Sequence, residues 1–287
     1  MNNVTRRGFL KTASIAAAAG SIPISALLPG QPLQAGVKEA ARNRTFPFSF
    51  GIASYSFRTF KLEDAIEMTK RLGLKKLTLK EMHLPLNSSD EQIQAAVEKI
   101  KQAGLEADSC GVVYMKTEEE VQRAFAYAKK AGMKMIIGGP EPALLPAVEH
   151  AAKETDIICA IHNHGPTDRN FPSPESVYKA VANMDKRMGL CIDIGHTQRI
   201  GLDPTEQFSK CFDRVHDFHL KDESASQPSG TTVEIGRGVI DVAKLLREAN
   251  RLKYSGTFHY EFEKDEKDPL PGLAESVGYV NGVLAVM

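Results

Sequence analysis

The 287-residue sequence has no net charge, with 36 Lys and Arg against 36 Asp and Glu. It therefore lacks the basic footprint that a nucleic-acid binder needs. Cysteine is scarce. Cys110, Cys159, Cys191 and Cys211 suggest no disulfide framework by number or spacing, and a core of about 245 residues is large enough to be stable without one. No long uninterrupted apolar run is present either. The Ala-rich stretch ending near Leu28 is broken by Gly, Ser and Pro, which makes it a poor permanent membrane anchor. Also missing are a low-complexity linker, a coiled coil and a second domain.

What is present begins with Thr5-Arg6-Arg7-Gly8-Phe9-Leu10-Lys11 ahead of that mildly apolar run. A charged region followed by an apolar one is the grammar of an export signal, and the paired arginines point to the twin-arginine route. The expected organisation is an export signal over residues 1–35, a linker over 36–45 and a folded domain over 46–287. The expected location is outside the cytoplasm, in the periplasm, with no stable membrane span after export. Losing residues 1–35 would remove Arg6, Arg7 and Lys11 and no acid, leaving a slightly acidic domain.

From Phe46 the chain alternates short apolar runs with amphipathic stretches. The predicted strands are Phe48–Ala53, Lys76–Leu79, Ala107–Val113, Lys134–Gly138, Ile157–Ile161, Gly189–Asp193, Val215–Leu220 and Gly256–Glu261. Predicted helices lie between them, with stripes such as Ile93, Ala96, Val97 and Ile100 at i, i+3, i+4 spacing. Gly73, Gly104 and Gly132 fall where helix C-caps are expected, and Ser89 and Thr117 where N-caps are. Eight strand–helix units predict an α/β single-domain fold, a closed (β/α)8 TIM barrel. The rival, a doubly wound open sheet, usually carries a Gly-rich first turn, and Ala53-Ser54-Tyr55-Ser56-Phe57 is not one.

In such a barrel the functional groups gather at the C-terminal ends of the strands. The second predicted strand ends in Lys80-Glu81-Met82-His83, the fifth in His162-Asn163-His164, and the sixth in Asp193-Ile194-Gly195-His196. The seventh ends in His219-Leu220-Lys221-Asp222 and the eighth in His259-Tyr260-Glu261-Phe262-Glu263. Any one of these histidines could be a structural hydrogen-bonder. Convergence of several on one rim, with Asp193 and Glu261, is what a divalent metal needs. Alternation along a strand places Cys191 on the face of Asp193, and Cys159 opposite His162, which argues against a disulfide between the two cysteines.

Asp193-x-x-His196, His219 and Glu261 together resemble the xylose-isomerase-like TIM-barrel superfamily, which includes sugar epimerases, inosose dehydratases, sugar phosphate isomerase/epimerase-like proteins and endonuclease IV. The resemblance covers the chain after the export segment. It implies metal ligands at Asp193, His219 and Glu261, with His162 standing where sugar epimerases commonly carry a Glu in a Glu-Asn-His run. The implied cofactor is one divalent ion: Mn, Co, Zn or Mg. Endonuclease IV needs a further Asp-x-His after the seventh strand, where this chain has Glu223-Ser224-Ala225.

The resemblance implies proton abstraction next to a sugar carbonyl, the ion acting as Lewis acid on the developing enediolate. Glu261 is the expected base, His164 or His196 its proton-transfer partner, and Lys221 the group facing the oxyanion. Lys221 reads nearly as well as a surface lysine paired with Asp222. Lys80, Glu81, His83, Tyr114 and Asn163 are candidates for binding sugar hydroxyls. Arg237 joins them, although Gly236-Arg237-Gly238 reads equally as a turn. Isomerisation, epimerisation and β-elimination of a 3-keto-glycoside all share this chemistry. His162 in place of a second Glu tilts the expectation toward elimination, which needs no base on each face of the sugar. A non-catalytic sugar-binding barrel is the alternative outside enzymology. The small-molecule partner is a sugar or keto-glycoside, and the oligomeric state stays open.

Overall fold

The computed structural model describes residues 45–287; the expected export signal and nearly all of the expected linker lie outside them. Eight parallel strands close a barrel: β1 (Ser49–Ala53), β2 (Lys76–Leu79), β3 (Glu106–Met115), β4 (Met135–Pro140), β5 (Ile158–His162), β6 (Met188–Asp193), β7 (Val215–Leu220) and β10 (Thr257–Tyr260). Beyond β7 a two-stranded antiparallel hairpin pairs β8 (Asp222–Glu223) with β9 (Thr232–Val233). The ring closes by pairing β1 with β10, Phe50 opposite Phe258.

Helices α1 (Leu62–Arg71), α2 (Asp90–Gln102), α3 (Glu118–Lys130), α4 (Leu145–Thr155) and α5 (Pro174–Val181) wrap the first part of the barrel. Helices α6 (Ile194–Arg199), α7 (Pro204–Cys211), α8 (Val242–Arg251) and α9 (Leu270–Val286) complete the shell. The caps follow the chemistry of the sequence. Ser89 and Thr117 form capping boxes with Gln92 and Glu120, and Gly73, Gly104 and Gly132 take left-handed φ of 74°, 77° and 70° just past α1, α2 and α3. Among the described residues no helix is long and apolar enough to cross a membrane.

The closure seam is aromatic. Phe218 of β7 and Phe258 of β10 stack with ring centroids 4.5 Å apart, and Phe48, Phe208 and Tyr254 pack edge-on around them. These side chains face the helical shell. The inward positions of the same strands are polar instead. Asp217 and His259, both fully buried, pair at 2.8 Å, and His259 reaches across to Asp108 of β3 at 3.2 Å. A side chain on Gly51 would put its Cβ 2.5 Å from the His259 ring, so glycine there makes room for the imidazole. All four cysteines are buried and unbridged. Cys191 packs inside the barrel with Ala160 and Met135, while Cys159 packs in the main core outside it.

Candidate active site

The site is built from the ends of β5, β6, β7 and β10. Strand β6 stops at Asp193 because that residue caps α6: its Oδ1 accepts the backbone N–H of His196 at 2.7 Å. Asp193 Oδ2 is left facing the barrel axis, fully buried and without a well-formed hydrogen bond. Asn163 fixes the same residue from β5, its Oδ1 accepting the Asp193 N–H at 3.0 Å and its Nδ2 donating to Thr197 Oγ1 at 3.2 Å. Strand register does the rest, pairing Asp193 with His219 and His162 with Cys191.

Four groups meet at one point. His162, Asp193, His219 and Glu261 each offer a ligand atom, and those atoms lie within 4.8 Å of one another. His162 Nε2 is 3.0 Å from His219 Nδ1 and 3.3 Å from Asp193 Oδ2, and His219 Nδ1 is 3.1 Å from Glu261 Oε2. Into this cluster runs Lys221, 2 % exposed, with Nζ 2.9 Å from Asp193 Oδ2 and 2.6 Å from Glu261 Oε2. The same ammonium also donates to Glu263.

The electrostatics follow from crowding charges away from water. Burial alone would raise both carboxylates, yet His196 and Lys221 hold Asp193, and His219 and Lys221 hold Glu261, well below the usual carboxylate range. Burial lowers the Lys221 ammonium, but Asp193, Glu261 and Glu263 override it and keep the amine charged. Burial drives His162 well below the ordinary imidazole value, so its ring is neutral at pH 7. His164 is lowered by burial and by His196. His219 moves upward, because Glu261 outweighs the burial that would lower it.

This donor set fits a divalent cation. Neutral His162, two carboxylates and His219 bring nitrogen and oxygen lone pairs to one buried point. Asp193 Oδ2, which faces that point, has no well-formed hydrogen bond, and His219 presents Nδ1 to it. A second grouping, Cys191, Asp217 and His219, also lies within 4.8 Å. Burial pushes the Cys191 thiol well above its ordinary value, so it stays protonated and offers a poor ligand.

The other expected site residues divide. His164, Tyr114 and Lys80 line the mouth: the Tyr114 hydroxyl is 2.9 Å from His164 Nε2, the two rings stack, and Lys80 Nζ lies 5.6 Å from the Tyr114 ring centroid. His196 Nε2 comes within 3.9 Å of Asp193 Oδ2. Exposed Glu81 shares with Tyr114, Asn87 and Arg123 the wall of a cavity of about 410 Å³.

Three expectations of direct substrate contact change. The His83 ring nitrogens face Ser54 Oγ at 2.9 Å and the Phe57 carbonyl at 3.3 Å, a structural pairing under the first loop. Asn163 is 1 % exposed and spends its amide on Asp193 and Thr197. Arg237 forms a two-pronged ion pair with Glu275 on α9, so the Gly-Arg-Gly run behaves as a turn. The reading of Lys221 as a surface lysine paired with Asp222 is overturned. Asp222 instead accepts the backbone N–H groups of Gly236, Gly238 and Ile240.

One residue was missed. Glu223 is 2 % exposed, and its Oε2 has no hydrogen-bond partner. Burial raises its carboxyl to about 7 against the opposing pull of Lys221. Its only cue in the sequence is its place four residues after His219.

A family model described as "Xylose isomerase-like TIM barrel" matches residues 116–281. Among solved structures, an uncharacterized protein from Parabacteroides distasonis is 28% identical, covering 82% of this chain and 98% of that one at a TM-score of 0.65. A 3-keto-D-glucoside 4-epimerase from E. coli is 14% identical, covering 82% and 99% at a TM-score of 0.68. An L-ribulose 3-epimerase is 14% identical, covering 83% and 95% at 0.67. No curated protein matches the chain.

Proposed function

Because this chain belongs to the xylose isomerase-like TIM-barrel family, we propose that it is a divalent-metal-dependent enzyme of the sugar isomerase/epimerase type that removes a proton next to a sugar carbonyl. The observation that carries this reading is the convergence of His162, Asp193, His219 and Glu261 within 4.8 Å at the mouth of the barrel. These four residues would hold the ion. When bound, it supplies Lewis-acid polarisation of the substrate carbonyl.

The chain's own groups divide the remaining work. Until an ion binds, Lys221 holds Glu261 through a 2.6 Å hydrogen bond and keeps positive charge beside the two carboxylates. Glu261 is the base aimed at the carbon-bound proton. His164, whose imidazole burial and His196 lower and whose Nε2 meets the Tyr114 hydroxyl at 2.9 Å, is a neutral proton acceptor beside the mouth. Asn163 holds the Asp193 backbone and, through it, the geometry of the cluster. Glu81, Asn87 and Arg123 in the adjacent cavity supply hydrogen-bonding groups for sugar hydroxyls.

Elimination from a 3-keto-glycoside is the second reading, favoured by one observation. His162 takes the position at the end of β5 where a second carboxylate base would serve symmetrical epimerisation, and elimination needs no base on the opposite face. We also propose that the twin-arginine segment over residues 1–35 directs export to the periplasm. Replacing Arg6 and Arg7 by lysine would then retain the protein in the cytoplasm.

The test has two parts. Purified protein should contain stoichiometric divalent metal, and deuterium from D₂O should enter keto sugars next to the carbonyl. Alanine at Asp193, His219 or Glu261 should abolish both while circular dichroism stays native. Full exchange activity in all three variants would refute the proposal. Metal without exchange on any keto sugar would favour a binding barrel, and release of the aglycone from a 3-keto-glycoside would select elimination.

A further inference from the structure

Lys221 and a divalent ion make competing claims on the same oxygens. The ammonium contacts Asp193 Oδ2 at 2.9 Å and Glu261 Oε2 at 2.6 Å, and both carboxylates belong to the four-ligand cluster. An ammonium and a doubly charged ion on those atoms would sit a few ångströms apart in a buried site, where like charges repel strongly. Once an ion arrives, Lys221 needs another anion. A buried ammonium without one is strongly disfavoured.

Two carboxylates stand within reach. Glu263 is bonded to Nζ already, but its side chain is 35% exposed, so water shares its charge. Glu223 has the opposite character. It is 2 % exposed, and its Oε2 lacks any hydrogen-bond partner, an arrangement that costs free energy unless another state supplies a donor.

Gly195 shows how near the two side chains are. A Cβ built there would lie 2.5 Å from Lys221 Cδ and 2.7 Å from Glu223 Oε1. The lysine stem and the glutamate carboxyl therefore lie against the same glycine, which puts Glu223 beside the stem that carries Nζ. Thr232 Oγ1, at 3.5 Å from Glu223 Oε1, makes too long a contact to hold that carboxyl firmly.

We propose that Glu223 is the positioning residue that receives the Lys221 ammonium when a divalent ion occupies His162, Asp193, His219 and Glu261. Ion entry and lysine displacement are then one exchange: the ion takes the two oxygens, and the ammonium crosses to Glu223. Glu223 acts through Lys221 and touches neither ion nor substrate. This inference rests on the metal reading of the site.

Calorimetric titration of chelator-stripped protein with MnCl₂ tests it. The chains compared are the wild type, Lys221→Met, Glu223→Gln and the double variant, each checked for native circular dichroism. Lys221→Gln replaces the methionine variant if that one does not fold. Removing the competitor should tighten Mn²⁺ binding by about tenfold or more, and removing the receiving charge should weaken it by about fivefold. In the Lys221→Met background, Glu223→Gln should change the affinity by less than about twofold. A merely structural glutamate would weaken binding equally in both backgrounds.

The inference falls if Lys221→Met binds Mn²⁺ no tighter than the wild type, or if the Glu223→Gln effect persists in the double variant. If neither the wild type nor any variant binds Mn²⁺, the metal reading falls with it. Binding that is the same in all four chains overturns this inference alone.

Discussion

His259 should make the barrel lose stability as the solution becomes alkaline. The ring is fully buried, and burial opposes its charge. Asp217 at 2.8 Å and Asp108 at 3.2 Å outweigh that cost and raise the imidazole from 6.5 to about 10. The folded chain thus keeps a proton that the unfolded chain releases near pH 6.5. The resulting stabilisation is fully present below about pH 6.5 and is lost as the pH rises through about 10. Within that window the slope is about −1.4 kcal/mol per pH unit, and the whole effect is about 5 kcal/mol. That is a large share of the roughly 5–15 kcal/mol that holds a domain together. The perturbation is His259→Gln, which keeps a polar group between the two carboxylates and removes the titration. Urea unfolding in the presence of chelator, at about pH 6.5, 8 and 9.5, compares the two chains. Between the extremes the wild type should lose about 4 kcal/mol more than the variant. Other groups titrating in that range are common to both chains and cancel in the difference. A difference that stays constant across the series would refute the reasoning.

Two further outcomes follow from contacts already described or adjacent to them. Arg214, 4 % exposed, donates to the carbonyls of Ala182, Met184, Asp185 and Met188 at 2.8–3.0 Å and ties the end of α5 to β6. Arg214→Met should cost roughly 3–5 kcal/mol in urea unfolding, and a loss under about 1 kcal/mol would contradict that accounting. Gly195→Ala should cost about 1–3 kcal/mol through overlap with the Lys221 stem and should change Mn²⁺ affinity in calorimetry; wild-type values for both would show that the corner yields freely.

Much of the fold is legible because the barrel strands are short apolar runs, five of them followed by a polar cluster, and glycine follows each of the first three helices. The order of His162, Asp193, His219 and Glu261 along the chain is legible for the same reason, since strand ends share one rim. What escaped notice depends on partners far apart in sequence. Asp108, Asp217 and His259 read as separate polar interruptions of apolar strands, and only barrel closure brings the first within reach of the last, 151 positions on. Arg237 meets Glu275 on α9, a pairing no local pattern announces. Glu223 lies in the hydrophilic run Lys221-Asp222-Glu223-Ser224, which has the composition of a solvated turn; the hairpin and the glycine of α6 bury it. Helix α6 itself, six residues long, is too short to show an amphipathic period.

Asp193 gives one oxygen to the first turn of α6 and turns the other toward the cluster. The corner between strand and helix consequently works as a lever with its fulcrum at a single carboxyl group. A tug on the inward oxygen is passed to the peptide of His196, whose ring stands beside the mouth. Under the proposed metal reading, loading the pocket and aiming that imidazole would be mechanically one event, and a mutation that loosens either end would slacken both.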